Sequence, residues 1–418
     1  MGSMVTIETK VLGTLDEIDA IAPAWRELEA RCADPLSYFQ SFDWCRNWVA
    51  QFSADGNHRP YIVTIWRGER LIALWPRMIV DMAGIRRLET LGAPHSQYCG
   101  VLVRRDGTAW PGIAKALLAA VRASRCDVTI SRAVPEGSAL AKLLADKPVV
   151  RGSDNIASML DLSLFPSSEA YTAQLGKLQK RNRNRRRNHL ARLGELHFEV
   201  IWPDHAEFGA LVRQCTEMKR RWLAETGRFS SGFSMAGYED FLASLGGNAA
   251  RLSGACLSVL RAGERVVALE LGFIRQRHYY AYIGGFDWDL RELSPGKVQM
   301  DLTVNWLIDK GGAGRRYRPG DPGARCRAGL RLAGPAGAAD AAGLLWRLRH
   351  SLDLDAGARE LCRARLCRIQ HPLPAALSPA GAAGGLAQLL AVRAGLRARR
   401  QPDAGSACHR PGIGPRRR

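Results

Sequence analysis

The sequence predicts a mixed α/β chain made of two modules with similar element order, followed by an irregular tail dominated by Ala, Gly and Arg. Three observations predict it. In each half, segments with helical apolar spacing give way to runs that alternate apolar and polar residues, the periods of helices and of strands. The length, 418 residues, is about two to three times that of an ordinary domain. The composition also breaks near residue 311: Gly311 to Arg418 holds 20 Arg, no Lys, 6 acids, 23 Ala and 17 Gly. The expected divisions are residues 5–160, residues 165–311 and a low-complexity basic tail over 312–418.

In the first module, Ile18, Ile21, Trp25 and Leu28 give Leu15 to Arg31 a helical face. Ser41 can cap a second helix in which Trp44, Trp48 and Phe52 recur every fourth residue. Tyr61 to Arg67 and Arg70 to Met78 read as a hairpin around Gly68-Glu69. Val101 to Val103 and Val128 to Ser131 read as short strands and Trp110 to Ser124 as a helix. In the second module a basic helix precedes a strand at Phe198 to Trp202, a helix at Phe208 to Thr226 and another at Met235 to Leu245. Cys256 to Arg261, Arg265 to Ile274 and His278 to Ile283 then form a three-stranded meander. Pro295 to Lys310 reads as a helix with proline in its first turn, where a missing N–H costs nothing.

The chain carries a formal net charge of +20. The tail supplies +14 of it and residues 1–310 the remaining +6, so the charge that suggests a polyanionic partner lies mostly outside the predicted modules. Ten scattered Cys with no C-x-x-C pair read as reduced thiols, and no metal is expected. The start has no basic-then-apolar signal segment and no apolar run reaches the span of a bilayer. A cytoplasmic protein without a membrane span is expected.

Three local signals carry chemistry. Lys177 to Arg192 holds eight Lys/Arg and no acid; it reads as a phosphate-binding helix for nucleic acid, as a basic rim for an anionic substrate or coenzyme, or as a solvated face. No aromatic residue interleaves it for base stacking. Ser294-Pro295-Gly296-Lys297 follows the meander and opens a helix, where backbone amides and the positive end of the macrodipole suit a pyrophosphate, or simply start a helix. In Val266 to Phe273, Val267, Leu269, Leu271 and Phe273 share one strand face, which places Glu270 on the other beside Ala268 and Gly272. It is either a general base lining a cleft or an ordinary strand residue. Tyr279, Tyr280, Tyr282, Phe286, Asp287 and Trp288 add an aromatic strand and loop that either meets substrate or packs as core. His95 and Ser96 lie in a Gly-Pro loop without the elbow that a nucleophilic serine needs.

In this order, the stretches FQSFDWCRNWVAQF (Phe39 to Phe52), LGAPHSQYCGVLV (Leu91 to Val103), KRNRNRRRNHLARLGELHFEV (Lys180 to Val200) and GGFDWDLRELSPGKVQMDLTVNWLIDKG (Gly284 to Gly311) resemble the GNAT acyltransferase superfamily. The similarity is to its double-module, CelD-like branch associated with cellulose biosynthesis, with Fem-type aminoacyl transferases as cousins. The resemblance implies two tandem GNAT-like modules with mostly antiparallel sheets flanked by helices, acetyl-CoA or another acyl-CoA as donor, and an amine or hydroxyl acceptor. Polysaccharide or cell-envelope metabolism is implied in the same way. By position it places Ser294, Pro295, Gly296 and Lys297 at the donor's pyrophosphate, and Glu270, with Tyr282 and Asp287 nearby, at the catalytic position. Gln97-Tyr98 and Phe286-Asp287 stand where the branch more often has Asp-Tyr and Tyr-Asp. The competing classes are a nucleic-acid-binding protein using 177–192 and the tail, and a structural partner of a synthase complex.

Past Lys310 the branch usually continues with a strand and a Tyr-Lys pair, whereas this chain reads GRRYRPGDPGARCRAGLRLAG. A frame shift near Gly312 to Arg316 in a GC-rich gene accounts for this, because GC-rich codons read out of frame yield Arg, Gly, Ala and Pro. One reverse translation of Arg315 to Pro319, read one base later, gives Val-Asp-Ile-Gly. The alternative is a basic tail evolved for anionic partners.

Overall fold

The computed structural model describes residues 7–32, 34, 36–54, 56–106, 110–149, 159–312 and 331–333, which fall in one compact unit. The first half comprises β1 (Ile7–Leu12), α1 (Leu15–Ala20), α2 (Ala22–Arg31), α3 (Phe42–Phe52), β2 (His58–Pro60), β3 (Ile62–Arg67), β4 (Arg70–Trp75), β5 (Arg77–Met82), β6 (Ile85–Thr90), β7 (Leu102–Val103), α4 (Trp110–Ala123), β8 (Val128–Thr129) and α5 (Ala139–Leu144). The second half comprises β9 (Met159–Asp161), α6 (Ser168–Gln174), α7 (Lys177–Leu190), β10 (Leu196–Ile201), α8 (Phe208–Glu225), α9 (Tyr238–Ala243), β11 (Gly247–Asn248), β12 (Ser253–Ala262), β13 (Arg265–Arg275), β14 (His278–Phe286), α10 (Pro295–Gly312) and β15 (Arg331–Ala333). The architecture is the expected mixed α/β class, sheets flanked by helices. Apart from Gly312 and β15, the tail assigned to 312–418 lies outside the described residues.

Two differences from the sequence reading have local causes. The helix expected over Leu15 to Arg31 is broken at Ile21, because Pro23 in the next turn cannot donate a helical hydrogen bond. The strand expected over Arg70 to Met78 stops at Trp75 and restarts at Arg77 in a different sheet. Pro76 interrupts the ladder between them. Arg77 is fully buried at this corner and is held by the Ile130 carbonyl at 2.8 Å and Ser131 Oγ at 3.0 Å. Ser41 does cap α3, accepting from the Trp44 N–H.

The first half holds two four-stranded sheets, ordered β1-β3-β4-β7 and β2-β5-β6-β8. The second holds one sheet ordered β10-β12-β13-β14-β15-β9, with β11 on β12. The meander β12-β13-β14 is antiparallel, and β15 pairs parallel with only the start of β14, residues 278–280.

One face of this second sheet is closed by α8 and by the aromatic segment of the first half. Tyr38 stacks on Phe273 with ring centroids 4.3 Å apart, and Trp44 meets Phe273 and Phe241 edge-on. Such pairs contribute about 0.5–1.5 kcal/mol each beyond area burial. The largest apolar cluster therefore draws on both halves. At its margin Arg275 Nη1 bonds Glu29 Oε2 at 2.7 Å and Arg275 Nε bonds Ser37 Oγ at 3.1 Å, with both charged side chains nearly enclosed. Loss of one partner alone leaves a buried charge and costs about 3–5 kcal/mol.

A polar network crosses the same seam. Tyr238 and Tyr282 hydroxyls are 2.8 Å apart, and Tyr282 donates to the His95 carbonyl at 2.9 Å. Trp48 Nε1 donates to His95 Nδ1 at 3.0 Å, which leaves the imidazole proton on Nε2, facing the Gly232 carbonyl at 3.0 Å. Burial pushes the His95 pKa down to about 4.

An unfolded His95 takes its proton near its ordinary value of 6.5, so between that pH and about 4 the unfolded chain binds more protons than the folded one. The His95 contribution is complete above pH 6.5 and is lost as pH falls toward 4, to a total of about 3 kcal/mol. Urea unfolding at pH 7, 5.5 and 4.5 should show this slope in the wild type and a flatter one in His95→Gln. Equal slopes would remove His95 as the cause.

Candidate functional site

Antiparallel pairing aligns Ser258 of β12, Glu270 of β13 and Gly284 of β14 in one cross-strand row. Paired residues point to the same face, and here it is the face opposite the aromatic seam, as the alternation of Leu269, Leu271 and Phe273 requires. Glu270 is half-buried. Burial raises its pKa, and the Tyr279 hydroxyl, donating to Glu270 Oε1 at 2.7 Å, partly offsets this. The Tyr279 ring reaches Glu270 by lying across Gly272, where any Cβ would stand 2.3 Å from the phenol. The space beside Gly272 is thus filled by tyrosine, while the space over Gly284 is open: a Cβ there meets nothing within 4 Å.

Helix α10 covers the Ser258 end of the row. Gln299 Nε2 donates to the Ser258 carbonyl at 3.1 Å and to Ser258 Oγ at 2.8 Å, and Thr303 Oγ1 lies 3.2 Å from the same hydroxyl. All three side chains are buried. Val304, Leu307 and Ile308 of α10 bury the rest of this face together with Cys256, Ile274 and Tyr279. The helix therefore crosses β12, β13 and the start of β14 and leaves Gly284 exposed. Beyond Tyr280 the outer edge of β14 has no partner strand among the described residues.

The start of α10 returns to this opening, with Phe286 3.5 Å from the Cβ position of Gly296. Ser294 adopts a left-handed conformation (φ 55°, ψ 50°), and its carbonyl accepts from the amides of Lys297 and Val298. Since Pro295 has no N–H, the Gly296 amide is the one left without a partner in this turn among the described residues. The row of free amides expected from sequence is reduced to one. The positive end of the macrodipole remains, with Lys297 exposed and no acid in the first turn.

The predicted residues therefore separate. Glu270 and the Ser294 to Lys297 turn lie on one face of the sheet. Tyr282 is on the opposite face, in the seam, with its proton committed to the His95 carbonyl. Asp287 lies at the end of β14, where its carboxylate caps the following turn by accepting from the Asp289 N–H at 3.1 Å and pairs with Arg265 Nε at 2.8 Å. Both are tied into the fold and neither reaches Glu270. His95 and Ser96 are also structural: Ser96 Oγ accepts from Trp44 Nε1 at 3.0 Å and donates to the Leu91 carbonyl at 2.9 Å.

The basic helix α7 lies along α10. Arg183 Nε bonds Asp301 Oδ2 at 3.0 Å, and Leu190 packs in a cluster with Val298 and Leu290. As residue number rises on α7 it falls on α10, so the two run antiparallel. The sequence reading named Tyr279 within the aromatic strand without pairing it to Glu270, and it missed Gln299 and Thr303 as parts of the site. The only available signal was the period-2 pairing of Glu270 with neighbouring strands, which needs a register that sequence does not supply. Two cavities, of about 590 Å³ around Val49, Arg59 and Arg86 and about 440 Å³ around Glu169, Lys180 and Asn305, lie away from Glu270. Among the described residues no group of His, Cys, Asp and Glu could hold a metal ion, and no helix is long and apolar enough to cross a membrane.

Comparison with solved structures gives distant likenesses: FemX (11% identity, 76% of this chain and 91% of that one, TM-score 0.44), and a tandem GNAT protein from the clavulanic acid biosynthesis pathway (12%, 79% and 89%, 0.38). A third is a conserved protein of unknown function from Bacteroides thetaiotaomicron (12%, 78% and 90%, 0.41). No curated protein matches. Residues 177–322 match the acetyltransferase (GNAT) domain family, a stretch that contains α7, Glu270, Gly284 and the start of α10, so the second half of the chain is similar to the GNAT acetyltransferases.

Proposed function

We propose that the second half transfers an acyl group from acyl-CoA to an amine. The observation that carries this is the placement of a carboxyl of raised pKa beside an open space, at the mouth formed by the α10 start and the free edge of β14. The donor's diphosphate lies at the Gly296 amide and Lys297, and its pantetheine arm runs along β14 past Gly284. The acyl thioester then reaches the Glu270 side of the row. Glu270, ionised, takes the proton of the acceptor ammonium. The freed nitrogen attacks the thioester carbonyl and the C–N bond forms. The C–S bond then breaks, and the departing thiolate takes the second proton, which the nitrogen loses as it becomes the amide. Unpaired β14 amides facing the developing oxyanion lower the barrier, since preorganised donors need no reorganisation as charge forms.

Within the same proposal, acetyl is the acyl group, the acceptor is a saccharide or cell-envelope amine, and the branch is the CelD-like one. The GNAT match over 177–322 supports the reaction class; the finer terms rest on the sequence resemblance.

Two variants test the reading. Gly284→Leu puts a side chain into the space over Gly284, where its Cβ meets nothing within 4 Å, so it should abolish CoA binding in calorimetry with little change in the unfolding midpoint. Unimpaired binding would move the donor elsewhere. Glu270→Gln should keep CoA affinity and lower kcat by about 10² to 10⁴. Because Glu270 must be ionised to act and its pKa is raised, wild-type activity should fall with decreasing pH at a higher pH than an ordinary glutamate gives. The variant should lack that limb.

A further inference from the structure

The larger of the two cavities, about 590 Å³, lies in the first half of the chain, and the acyl transfer proposed above makes no use of it. Its size falls within the range of small-molecule sites, which are mostly apolar with a few placed polar groups. The apolar part of its wall comes from Leu15 of α1, Val49 and Ala50 of α3, Pro60 of β2 and Ile79 of β5. Two arginines, Arg59 of β2 and Arg86 of β6, supply the charge of the wall, and no acid lines it.

Strand register explains why the two arginines meet. Arg59 stands opposite Ile79, and Arg86 stands opposite Asp81. Ile79 and Asp81 are two apart on β5, so the four side chains belong to one face of this sheet. Asp81, outside the cavity wall, receives both cations, Arg59 Nη2 at 2.6 Å on Oδ2 and Arg86 Nε at 3.3 Å on Oδ1. One carboxylate thus answers two guanidiniums, and the trio carries one net positive charge. Each arginine spends on Asp81 one of the five N–H donors that a guanidinium has. The neighbouring acids are engaged by backbone: Glu17 accepts from the Gly13 and Thr14 amides at 2.7 and 3.0 Å, and Asp127 accepts from the Arg86 amide at 3.0 Å. Ser53 also lines the cavity, and its hydroxyl has no hydrogen-bond partner among the described residues.

We infer that this cavity is a second ligand site and that it takes a small amphipathic monoanion, a carboxylate carried on a hydrocarbon chain. The carboxylate matches the single net charge of the Arg59–Asp81–Arg86 trio, which a phosphate dianion exceeds. Guanidiniums hold carboxylate oxygens through parallel N–H donors, and the donors not spent on Asp81 are available for this. The chain leaves water by lying against Leu15, Val49 and Ile79. A bare ion leaves that apolar wall wet, and an uncharged chain leaves the arginine donors unused, so the wall selects for both parts in one molecule.

The test is calorimetric titration of the full chain with decanoate, alongside decyltrimethylammonium, which puts the same chain on a cation, and acetate, which keeps the head without the chain. Decanoate should bind at least about tenfold tighter than either. Arg86→Ala should weaken decanoate about tenfold, Asp81→Asn should tighten it by releasing both arginines, and Ala50→Trp should block it by filling the cavity. Arg86, Asp81 and Ala50 are exposed, so unfolding midpoints close to wild type will show that these effects are local. No binding of decanoate, equal affinity for decyltrimethylammonium, or an affinity unchanged in both Arg86→Ala and Ala50→Trp overturns the inference. Each of these results leaves the donor reading at Gly284 and Glu270 where it stands, since CoA titration measures that separately.

Discussion

The seating of α10 on the second sheet is the constraint on which the site depends, and a buried polar clamp sets it. Gln299 holds both the carbonyl and the hydroxyl of Ser258, and Thr303 reaches the same hydroxyl. Each such bond contributes only about 1 kcal/mol net, but an orphaned partner in this enclosed place costs about 1–3 kcal/mol. The clamp thus specifies position more than it adds stability. Apolar contacts from Val304, Leu307 and Ile308 would tolerate a helix slid by part of a turn; Gln299 would not. Since α10 is held over β12 and β13, the row that begins beneath it at Ser258 ends in the open at Gly284, with Glu270 at the boundary.

The opposite face has no such latitude. Tyr38, Phe39 and Trp44 of the first half close it against Phe273, Tyr280 and Tyr282, and Arg275 locks the margin to Glu29. The two halves share a core, so the sheet that carries Glu270 is braced from behind by residues distant in sequence. This bracing explains why the aromatic strand His278–Phe286, so suggestive of a substrate platform, is divided in its duties. Tyr279 serves the open face by orienting Glu270, while Tyr280 and Tyr282 serve the seam. Alternation along the strand alone would place Tyr280 and Tyr282 together, and the bulge at Leu271/Gly272 keeps Ile283 in the same core.

Much of the architecture was legible from periodicity: the meander, the capped α3, the helix beginning at Pro295, and the orientation of Glu270 against Leu269, Leu271 and Phe273. What was not legible depended on partners far along the chain. Gly272 looked like a place for a ligand because a glycine signals space without saying what fills it, and here Tyr279 fills it. Asp287 and Tyr282 looked catalytic because carboxylates and phenols beside a cleft usually invite that reading. Arg265 and the Asp289 amide engage the first, His95 the second, and none of these pairings has a local sequence signature. The turn at Ser294 was correctly placed, yet its number of free amides could not be guessed without knowing that Ser294 turns left-handed and takes up two of them.

The electrostatics of the two ends of the opening are opposed. Glu270 is half-buried, which disfavours its ionised form, with one hydroxyl donor to help it. The α10 start, about one turn of helix from Gln299, carries the exposed Lys297 and no acid within its first turn. For the donor proposed above, with negative phosphates and a neutral reactive end, such a field favours one orientation. In that orientation its charged end would lie toward Lys297 and its uncharged thioester beside a carboxylate that would repel an anion. In the proposed reaction the acceptor would enter as a cation attracted to ionised Glu270, and the amide product, uncharged, would lose that attraction.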